Sequence, residues 1–460
     1  MLKKDEQQAV IKSANELMQS AIIEYKGQPV GTMAAVDPEL PAENYEECFV
    51  RDFIPVGIAF LLDGQYEIVR NFLKTVLILR AEHGAIKGHK HVPIFLPASF
   101  KVVKKKNGNE ELVPDFGDRA IGRVTPVDSL MWWVGLLARY VEVTGDMDFA
   151  HETLCQFGLQ AILEHTLRDT FEFYPTLHTP DGCFMIDRPM GVHGHPLELQ
   201  ALFYAMLKFM PILLEHNKEN EPRLVLAKER EEILRTFVRE YYWLDLKRLN
   251  EIHRFKTEEF GHQITNVLNI YPESIPDWII DWLPDEGGYL AGNFGPGRMD
   301  FRFFAGGNLF SVIMGLTTKE MAKKIFNLYE IHWDDLIGRM PAKICYPAVE
   351  GPEWQILTGS DPKNVPWSYH NGGNWPCILF PFVGAALRVG RKDLAEKAFQ
   401  IACERLPKDG WPEYYDGKYG RLIGRRASYN QVWSASSLIV AHRLLEDPGR
   451  ISKFYSGDEY

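Results

Sequence analysis

Six times along this chain, a loop rich in aromatic, glycine and charged residues leads directly into a long apolar segment. A segment that is apolar on all sides is predicted to be a buried helix, because a surface helix keeps one polar face. Strand-like alternation is scarce, so the chain is predicted to be mainly α-helical. The six segments are CFVRDFIPVGIAFLL from Cys48, TPVDSLMWWVGLLARY from Thr125, HGHPLELQALFYAML from His193, GRMDFRFFAGGNLFSVIMGL from Gly297, WSYHNGGNWPCILFPFVGAAL from Trp367 and SYNQVWSASSLIVAHRLL from Ser428.

The spacing of these segments favours a ring of helical hairpins. Successive markers in the six loops are 76, 67, 105, 70 and 59 residues apart, and each interval except the longest suits one hairpin with its loops. Amphipathic stretches, typical of helices with one solvent-facing side, lie between them. The pattern predicts an all-α (α/α)6 barrel of six inner and six outer helices, and an irregular α-helical bundle is the alternative. The markers are Asp52, Asp128, His195, Asp300, His370 and Tyr429, and the amphipathic stretches are 4–25, 66–80, 149–167, 224–242 and 392–405.

No linker rich in proline or serine divides the chain, so a single domain over residues 1–460 is predicted. In an (α/α)6 barrel, the loops that precede the inner helices gather at one end. The six loops are therefore predicted to form one pocket.

The charge balance limits the partners. The formal net charge is −11, from 51 Lys and Arg against 62 Asp and Glu. This balance argues against nucleic acids and anionic membranes, which favour basic patches. The one notable basic run, residues 101–106, is answered by Glu110 and Glu111 and is predicted to be a solvated hairpin or loop. No apolar run approaches the roughly 18 residues that span a bilayer.

Six scattered cysteines form no CxxC pattern, and the start MLKKDEQQAV lacks the features of a signal peptide. These observations predict reduced thiols in a cytoplasmic protein. The cysteines are Cys48, Cys155, Cys183, Cys345, Cys377 and Cys403.

One loop carries an isolated acid in an unusual setting. The stretch DGCFMIDRPMGVHGHPLELQ, residues 181–200, places Asp187 beside Arg188 among glycine, proline and histidine. Such a loop adds little stability, because its polar groups must find partners or remain wet. The simplest structural interpretation is a loop aspartate paired with an arginine.

A second loop has the same character. In DGWPEYYDGKYGR, residues 409–421, Glu413 lies among Trp411, Tyr414 and Tyr415. The structural alternative is an exposed glutamate in a turn. Two acids in separate aromatic, loop-like settings suggest a carboxylate pair that acts on a sugar.

Cofactor signals are weak. His193 and His195 with Glu198 resemble a metal-ligand set, but histidines in glycine-rich loops more often simply donate hydrogen bonds. The glycine-rich stretches GGYLAGNFGPG and HNGGNWP lack the GxxxxGK[ST] pattern of a phosphate loop. We therefore expect neither a metal nor another cofactor.

Seven long blocks identify a family. They are ECFVRDFIP, DSLMWWVGLLARY, FMIDRPMGVHGHPLELQALF, GNFGPGRMDFRFFAGGN, MPAKICYPAVEGPEW, TGSDPKNVPWSYHNGGNWP and DGWPEYYDGKYGRLIGRRA. In these blocks the chain closely resembles the neutral/alkaline invertases of plants and cyanobacteria, glycoside hydrolase family 100. The blocks run from about Glu47 to beyond Arg426, so the resemblance covers nearly the whole chain.

The resemblance implies an (α/α)6 barrel that hydrolyses sucrose in the cytosol without a metal. It also implies a homo-oligomer, for which a hexamer is a candidate, and a catalytic pair formed by Asp187 and Glu413. We assign Asp187 as the general acid and Glu413 as the general base of an inverting reaction, since glycoside hydrolysis needs two carboxyl groups with different pKa values. The apolar run before Asp187 favours a raised pKa and Arg188 opposes it, and the sequence leaves the outcome open.

Other polar and aromatic residues of the six loops are expected to bind the sugar hydroxyls or stack on the sugar rings. Two pairs, Arg51–Asp52 and Asp300–Arg302, have a structural ion pair as the alternative. Asp52, Asp128 and Asp300 also suit helix N-termini as caps. The expected sugar-binding residues are Arg51, Asp52, Asp128, Arg188, His193, His195, Asp300, Arg302, Tyr369, His370, Asn371, Trp375, Trp411 and Tyr414.

Two rival functions remain at this stage. One is an (α/α)6-barrel enzyme that acts on another saccharide, because a fold does not fix a function. The other is a non-catalytic sugar-binding protein with a degenerate site. The presence of both Asp187 and Glu413 in their full motifs argues against degeneracy.

Overall fold

The computed structural model describes residues 2–37, 44–83, 96–117, 126–168, 175–254, 266, 268–295 and 298–449. Thr125 and Gly297, where two of the predicted loop segments begin, lie outside the described residues. The described helices are α1 (Lys4–Ser20), α2 (Phe53–Leu62), α3 (Tyr66–His83), α4 (Asp128–Thr144), α5 (Met147–Ala150), α6 (Thr153–Thr166), α7 (Leu197–Leu213), α8 (Glu221–Tyr241), α9 (Leu246–Arg254), α10 (Asp277–Trp282), α11 (Ala305–Ile313), α12 (Lys319–Ile331), α13 (Trp333–Leu336), α14 (Gly351–Thr358), α15 (Leu379–Arg388), α16 (Lys392–Arg405) and α17 (Val432–Glu446).

The strands are short and lie between the helices. They pair into five small antiparallel sheets among the described residues. The strands are β1 (Ile22–Tyr25), β2 (Gln28–Thr32), β3 (Cys48–Phe49), β4 (Ser99–Lys104), β5 (Glu110–Asp115), β6 (Trp243–Leu244), β7 (Tyr289–Leu290), β8 (Asn293–Gly295), β9 (Arg298–Asp300), β10 (Phe303–Phe304) and β11 (Cys345–Tyr346).

Six apolar helices form a closed inner ring. In chain order α2, α4, α7, α11, α15 and α17 each pack against the next, and α17 packs against α2. These helices begin where the six loop segments predicted them, and every residue of α11 is buried. Burial on all sides is what an apolar circumference requires. The predicted barrel is therefore confirmed.

The outer helices are amphipathic and follow the inner ones. Helices α3, α6, α8, α12 and α16 each come after one inner helix, and α1 packs against α17 as the sixth. Helix α16 has the bounds that the sequence predicted, whereas α12 was not predicted. Thr318 caps α12 by accepting a hydrogen bond from the N–H of Met321 at 3.2 Å.

The predicted helix 4–25 is wrong at its end. Helix α1 stops at Ser20, and β1 pairs with β2 as a hairpin. The connecting residues Lys26 and Gly27 both have positive φ, 51° and 74°. Two positive φ values at the turn suit the twist of a tight hairpin, and the β-branched Ile22 and Ile23 favour a strand. Turn chemistry therefore overrides the helical pattern here.

The basic run lies in the predicted hairpin. Strand β4 and strand β5 pair in register, with Lys104 opposite Glu110. Lys104 contacts Glu110 at 3.7 Å and Lys105 contacts Glu111 at 2.7 Å. The run is thus balanced by acids and forms no basic patch.

The loops that precede the inner helices meet at one end of the barrel. Hydrogen bonds link one loop to the next around this end, so the loop set is held together by polar contacts as well as by the ring beneath it. The linking bonds join Arg51 to Asp128, Val127 to Cys183, Met190 to Arg302 and Asn374 to Tyr415.

Candidate active site

Asp181 folds the loop that carries Asp187. Its carboxylate accepts hydrogen bonds from the N–H groups of Met190 and Gly191, both at 2.8 Å, and of Val192 at 3.3 Å. One side chain thus closes a ten-residue loop and fixes where Asp187 lies. The sequence analysis missed this role, although an Asp-Gly pair is a turn signal.

Asp187 lies in a partly enclosed position. Its Oδ2 is 3.9 Å from a guanidinium nitrogen of Arg51, and its Oδ1 is 3.5 Å from Nδ1 of His370. About a third of the side chain (32%) is exposed, yet Oδ1 is buried and has no hydrogen-bond partner among the described residues. The hydrogen-bonding capacity of this oxygen is therefore unused in the described structure.

The loss of water raises the pKa of Asp187 to about 6. The cations Arg51, Arg188 and Lys363 oppose this rise, and the negative charge of Glu413 adds to it. The sequence left open whether the pKa of Asp187 is raised or lowered. It is raised, because the effect of desolvation on this pKa is larger than the opposing effect of Arg188. A carboxyl group with this pKa suits proton donation near neutral pH better than an exposed aspartate does.

Arg188 points to a different acid. Its guanidinium donates to Oδ2 of Asp361 at 2.7 Å and lies 5.4 Å from the ring centre of Tyr369. The simple pair of Asp187 with Arg188 is therefore not formed. Asp361 was missed in the sequence, because it lies 173 residues away from Arg188.

Glu413 is held from two sides. Only 2% of its side chain is exposed. Its Oε1 accepts a hydrogen bond from the hydroxyl of Tyr45 at 2.6 Å, and its Oε2 lies 3.6 Å from Nζ of Lys363. Oε2 is buried and has no hydrogen-bond partner among the described residues. The tyrosine fixes the carboxylate, and the second oxygen makes no hydrogen bond within the described structure.

The aromatic neighbours of Glu413 are structural supports. The hydroxyl of Tyr414 donates to the carbonyl of Arg425 at 2.7 Å, and that of Tyr415 donates to Asp409 at 2.9 Å. Trp411 is buried in the turn, with a φ of 53°. These rings shape the loop around the glutamate.

A buried ion pair lies beside Asp187. Arg51 binds Asp128 through two hydrogen bonds, of 2.5 and 3.1 Å. Asp128 is fully buried and also accepts from the indole of Trp132 at 3.2 Å. The hydrogen-bonded partner of Arg51 is thus Asp128, 77 residues away, and not the adjacent Asp52 that the sequence suggested.

Asp52 faces the same group of charges. Burial raises its pKa to about 8, with further increases from the carboxylates of Glu413, Asp187 and Asp128 and an opposing effect of Arg51. Asp52 is therefore a second acid with a raised pKa, and it remains protonated at neutral pH. It is the structural rival of Asp187 for the role of proton donor.

The capping prediction is wrong for all three aspartates. Asp52 is at the N-cap of α2, but its side chain accepts no hydrogen bond from the helix. Asp128 is already inside α4 and bonds Arg51 instead. Asp300 lies in β9 and bonds Arg302. For Asp128 and Asp300 a charged partner nearby replaces the helix terminus, since a charge-assisted bond is the stronger one.

An aromatic wall stands beside Asp187. The ring of Tyr369 lies 4.1 Å from His370, 4.9 Å from Trp375 and 5.3 Å from Tyr414, between ring centres. Burial lowers the pKa of His370 well below its usual value. The imidazole next to Asp187 is therefore neutral at pH 7, and it can exchange hydrogen bonds without adding charge.

Two of the predicted sugar-binding residues, Trp375 and Asn371, form hydrogen bonds to other parts of the protein. Trp375 is fully buried, and its indole donates to the carbonyl of Tyr369 at 3.1 Å. Asn371 accepts from the N–H of Val349 at 2.7 Å and donates to the carbonyls of Val349 and Asn364. Both side chains hold the loop that presents Tyr369 and His370.

The remaining predicted residues support the Asp187 loop from the other side. Arg302 is paired with Asp300, at 2.6 Å, and donates to the carbonyl of Met190 at 3.0 Å. His195 is buried and bonds Thr176 through Nδ1 at 2.7 Å. Burial, aided by His178, lowers the pKa of His195 to about 4. The structural interpretation of the Asp300–Arg302 pair is thus favoured.

A pocket adjoins this side of the loop. It has a volume of about 190 Å³. His193 is exposed and lines it. The other polar residues that line it include His178, His195, Asn293, Arg298 and Asp300.

A sequence profile of the family described as alkaline and neutral invertase matches residues 14–448. The chain belongs to this family. Alkaline/neutral invertase C, mitochondrial, of Arabidopsis thaliana is 46% identical, over 99% of this chain and 69% of that protein. Cytosolic invertase 1 of Oryza sativa subsp. japonica is 46% identical, over 96% of this chain and 79% of that protein. The chain is accordingly a glycoside hydrolase.

Solved structures show the same fold in distant glycosidases. A wild-type glycosidase superposes with a TM-score of 0.56 at 12% identity, over 96% of this chain and 99% of that one. A bacterial glucoamylase complexed with acarbose gives 0.54 at 12% identity, over 98% of this chain and 58% of that one. The barrel of this invertase-family chain is thus a known glycosidase architecture.

Compartment and assembly stay predictions. The names of the relatives include cytosolic, mitochondrial and chloroplastic forms. Within the described ranges, no helix is long and apolar enough to cross a membrane. The expected cytoplasmic setting and homo-oligomer are not tested by these observations.

The suggested metal ligands do not come together. Across the part of the chain that the structure describes, no group of three or more His, Cys, Asp or Glu residues is placed to hold a metal ion. His195 bonds Thr176, whereas Glu198 lies beside Gly306 and near the Arg51–Asp128 pair. The motif is therefore split between two environments.

Sequence reasoning missed Tyr45 and Lys363, which hold Glu413. Tyr45 lies two residues before the start of the first family block, and Lys363 lies inside the block TGSDPKNVPWSYHNGGNWP. Their position in or near these blocks was the available signal. Neither was visible from local pattern, because Tyr45 is 368 residues away from Glu413.

The Arg51–Asp128 pair gives a stability prediction. Asp128→Asn removes one charge from the buried pair and leaves Arg51 without its hydrogen-bonded carboxylate, so we expect the free energy of unfolding to fall by about 3–5 kcal/mol. Chemical denaturation followed by circular dichroism measures this change. Asp393→Asn is the matched control, because Asp393 pairs with Arg391 on α16 but is 62% exposed, and we expect a loss of at most about 1 kcal/mol. Equal losses in both variants would contradict the assignment.

Proposed function

We propose that this chain hydrolyses sucrose to glucose and fructose, with Asp187 as the general acid and Glu413 as the general base. The observation that carries the proposal is the contrast between two carboxyl groups in one site. Asp187 has a raised pKa and an unbonded Oδ1, and Glu413 is fixed by Tyr45 beside Lys363. Membership of the alkaline and neutral invertase family supports sucrose as the substrate.

The proposed reaction delivers one proton to the glycosidic oxygen and removes one proton from the attacking water. Asp187 gives its proton to the glycosidic oxygen as the carbon–oxygen bond breaks, and the leaving sugar departs as an alcohol. Glu413 takes a proton from water at Oε2 while the water oxygen bonds to the anomeric carbon from the opposite face. The product anomer is then inverted. Solvent returns the proton from Glu413 to Asp187 and resets the site.

We propose that twelve of the fourteen expected sugar-binding residues fall into two groups. We propose that Arg51, Asp52, Tyr369 and His370 reach the substrate, because they surround Asp187 or lie in the charge cluster around it. Support of the pocket is the role that we propose for a second group, whose polar atoms bond other parts of the protein. That group comprises Asp128, Arg188, His195, Asp300, Arg302, Asn371, Trp375 and Tyr414.

The pKa of Asp187 gives a pH prediction. A general acid must be protonated, so kcat/KM for sucrose should fall as the pH rises through about 6, the raised pKa of the free carboxyl group. A bound sugar covers the exposed third of Asp187 and removes more water, so the corresponding limb of kcat should lie at a higher pH. Steady-state kinetics between pH 4.5 and 9 measure both limbs. An alkaline limb at the same pH for both parameters would contradict this account.

The release of glucose and fructose from sucrose tests the function. We expect turnover on sucrose and much lower turnover on maltose and trehalose, and no turnover when Asp187 and Glu413 are both replaced by their amides. Higher activity on maltose or trehalose would establish the alternative of another saccharide. Binding of sucrose without product release, measured by calorimetry, would establish the non-catalytic alternative.

A further inference from the structure

Lys363 lies beside one of the two proposed catalytic carboxyl groups, Glu413, and has no role in the reaction as written above. It belongs to the loop between α14 and α15, and 15% of its side chain is exposed. Its Nζ is 3.6 Å from Oε2 of Glu413 and 4.0 Å from the ring centre of Tyr369. The positive charge also acts on Asp187 and lowers its pKa. One ammonium group is therefore in electrostatic reach of both carboxyl groups.

The other cations near the site already have partners. Arg51 is paired with Asp128, and Arg188 is paired with Asp361. Burial lowers the pKa of His370 well below its usual value, so this imidazole is neutral. Burial also raises the pKa of Asp52 to about 8, and raises those of Tyr45, Tyr369 and Tyr414, so these groups are uncharged near neutral pH.

The charges can therefore be balanced within the described part of the site. Each arginine is neutralised by its own aspartate. Below about pH 6, where Asp187 is protonated, what remains is the positive charge of Lys363 and one negative charge, which the reaction moves from Glu413 to Asp187. A cation near both positions is suited to this transfer.

We propose that Lys363 is a positioning residue that acts as the shared counter-ion of Asp187 and Glu413. It keeps one negative charge on the pair and allows that charge to change places during turnover. This inference rests on the proposed function and deepens it, because it assigns the group that sets the working pH range of the pair.

The geometry favours this role over a hydrogen bond. At 3.6 Å the ammonium attracts Oε2 of Glu413 without occupying it, so the oxygen keeps its lone pairs for water. The Coulomb attraction falls only with the first power of distance, so the same ammonium also stabilises a charge on Asp187. The face of Tyr369 holds the ammonium in place through a cation–π contact.

Lys363→Met tests the proposal through the pH profile. A cation within about 4–6 Å lowers the pKa of a carboxyl group by about 1–3 units. Its removal should therefore raise the pKa of Asp187 and make a negative charge on either carboxyl group less favourable, so the acid and alkaline limbs of kcat/KM for sucrose should both move to higher pH by about one unit or more. Lys363→Arg keeps the charge and should keep both limbs. Lys392→Met on α16 is the matched control, and its profile should equal that of the wild type.

Chemical rescue separates charge from shape. All six native cysteines are buried, so the thiol of a Lys363→Cys variant can be alkylated selectively. Treatment with 2-bromoethylamine adds an ammonium at nearly the original position, and iodoacetamide adds a neutral amide. We expect the pH profile of kcat/KM to return to that of the wild type in the first product. In the second product the profile should equal that of Lys363→Met. Thermal melts confirm that each variant is folded, and the rescue comparison stands even if Lys363→Met is unstable.

The outcomes are distinct. Limbs that remain at wild-type pH in folded Lys363→Met, or rescue by both reagents alike, would overturn the counter-ion role. A shift of one limb alone would show that Lys363 serves a single carboxyl group and would also overturn the shared role. Absence of sucrose hydrolysis in the wild type would instead refute the proposed function itself.

Discussion

Asp187→Asn is expected to lower kcat for sucrose by about 10²- to 10⁴-fold, the usual contribution of a general acid. Asparagine has nearly the same shape, but its amide cannot give a proton to the glycosidic oxygen. A fluoride leaving group needs little protonation. The variant should therefore retain most of the wild-type rate on α-D-glucosyl fluoride or β-D-fructosyl fluoride, whichever of the two the wild type hydrolyses.

This selective rescue distinguishes a lost acid from a damaged site. Asp393→Asn on the exposed side of α16 is the matched control, and its rates on sucrose and fluoride should equal those of the wild type. Asp52→Asn tests the rival acid. If Asp52→Asn shows the selective rescue and Asp187→Asn does not, the proton donor is Asp52. The fluoride that is hydrolysed also identifies which sugar is transferred to water.

Glu413→Gln is expected to lower kcat by a similar factor, about 10²- to 10⁴-fold, on sucrose and on the fluoride alike. Glutamine can still accept the hydrogen bond from Tyr45 at Oε1, so the local structure should be retained. It cannot accept a proton from water, and every substrate needs that step. The loss should therefore be independent of the leaving group.

Glu396→Gln is the matched control for this variant, because Glu396 is exposed on α16 and pairs only with Lys392 in the described structure. Rates on both substrates should remain at the wild-type level. A Glu413→Gln variant that keeps its fluoride activity would contradict the role of general base. The contrast between the two carboxyl variants thus tests whether Asp187 is the general acid and Glu413 the general base.

The barrel was predictable because its inner helices are buried on all sides. A segment such as AGGNLFSVI, which forms α11, has no polar face to present to solvent. In a mainly helical chain such a helix must therefore be surrounded by other helices. The prediction failed where local turn chemistry decided the structure. Residues 22–25 continue the helical pattern of α1, yet the turn at Lys26 and Gly27 makes them a strand.

The two carboxyl groups were found from the sequence, but their environment was not. Adjacency suggested that Arg188 would lower the pKa of Asp187. In the folded chain Arg188 turns to Asp361, and desolvation of Asp187 has the larger effect. The pKa of a group depends on neighbours that the fold supplies, and these come from loops far apart in the chain.

The same limit explains the missed residues. Arg51 finds Asp128 and not its neighbour Asp52, because the two side chains lie on adjacent loops of the barrel end. Tyr45 and Lys363 reach Glu413 from opposite parts of the chain. Residue type and spacing do not encode such contacts. They follow from the ring of helices that brings the loops together.

The stereochemistry of the first product tests the central claim most directly. Proton NMR of the sugars released from sucrose, recorded before mutarotation, identifies the first anomer. An inverting pair predicts β-glucose if the glucosyl carbon is attacked and α-fructose if the fructosyl carbon is attacked. Release of α-glucose or β-fructose as the first anomer at the attacked carbon would mean retention. Glu413 would then be a nucleophile or a bystander, and its assignment as the general base would be wrong.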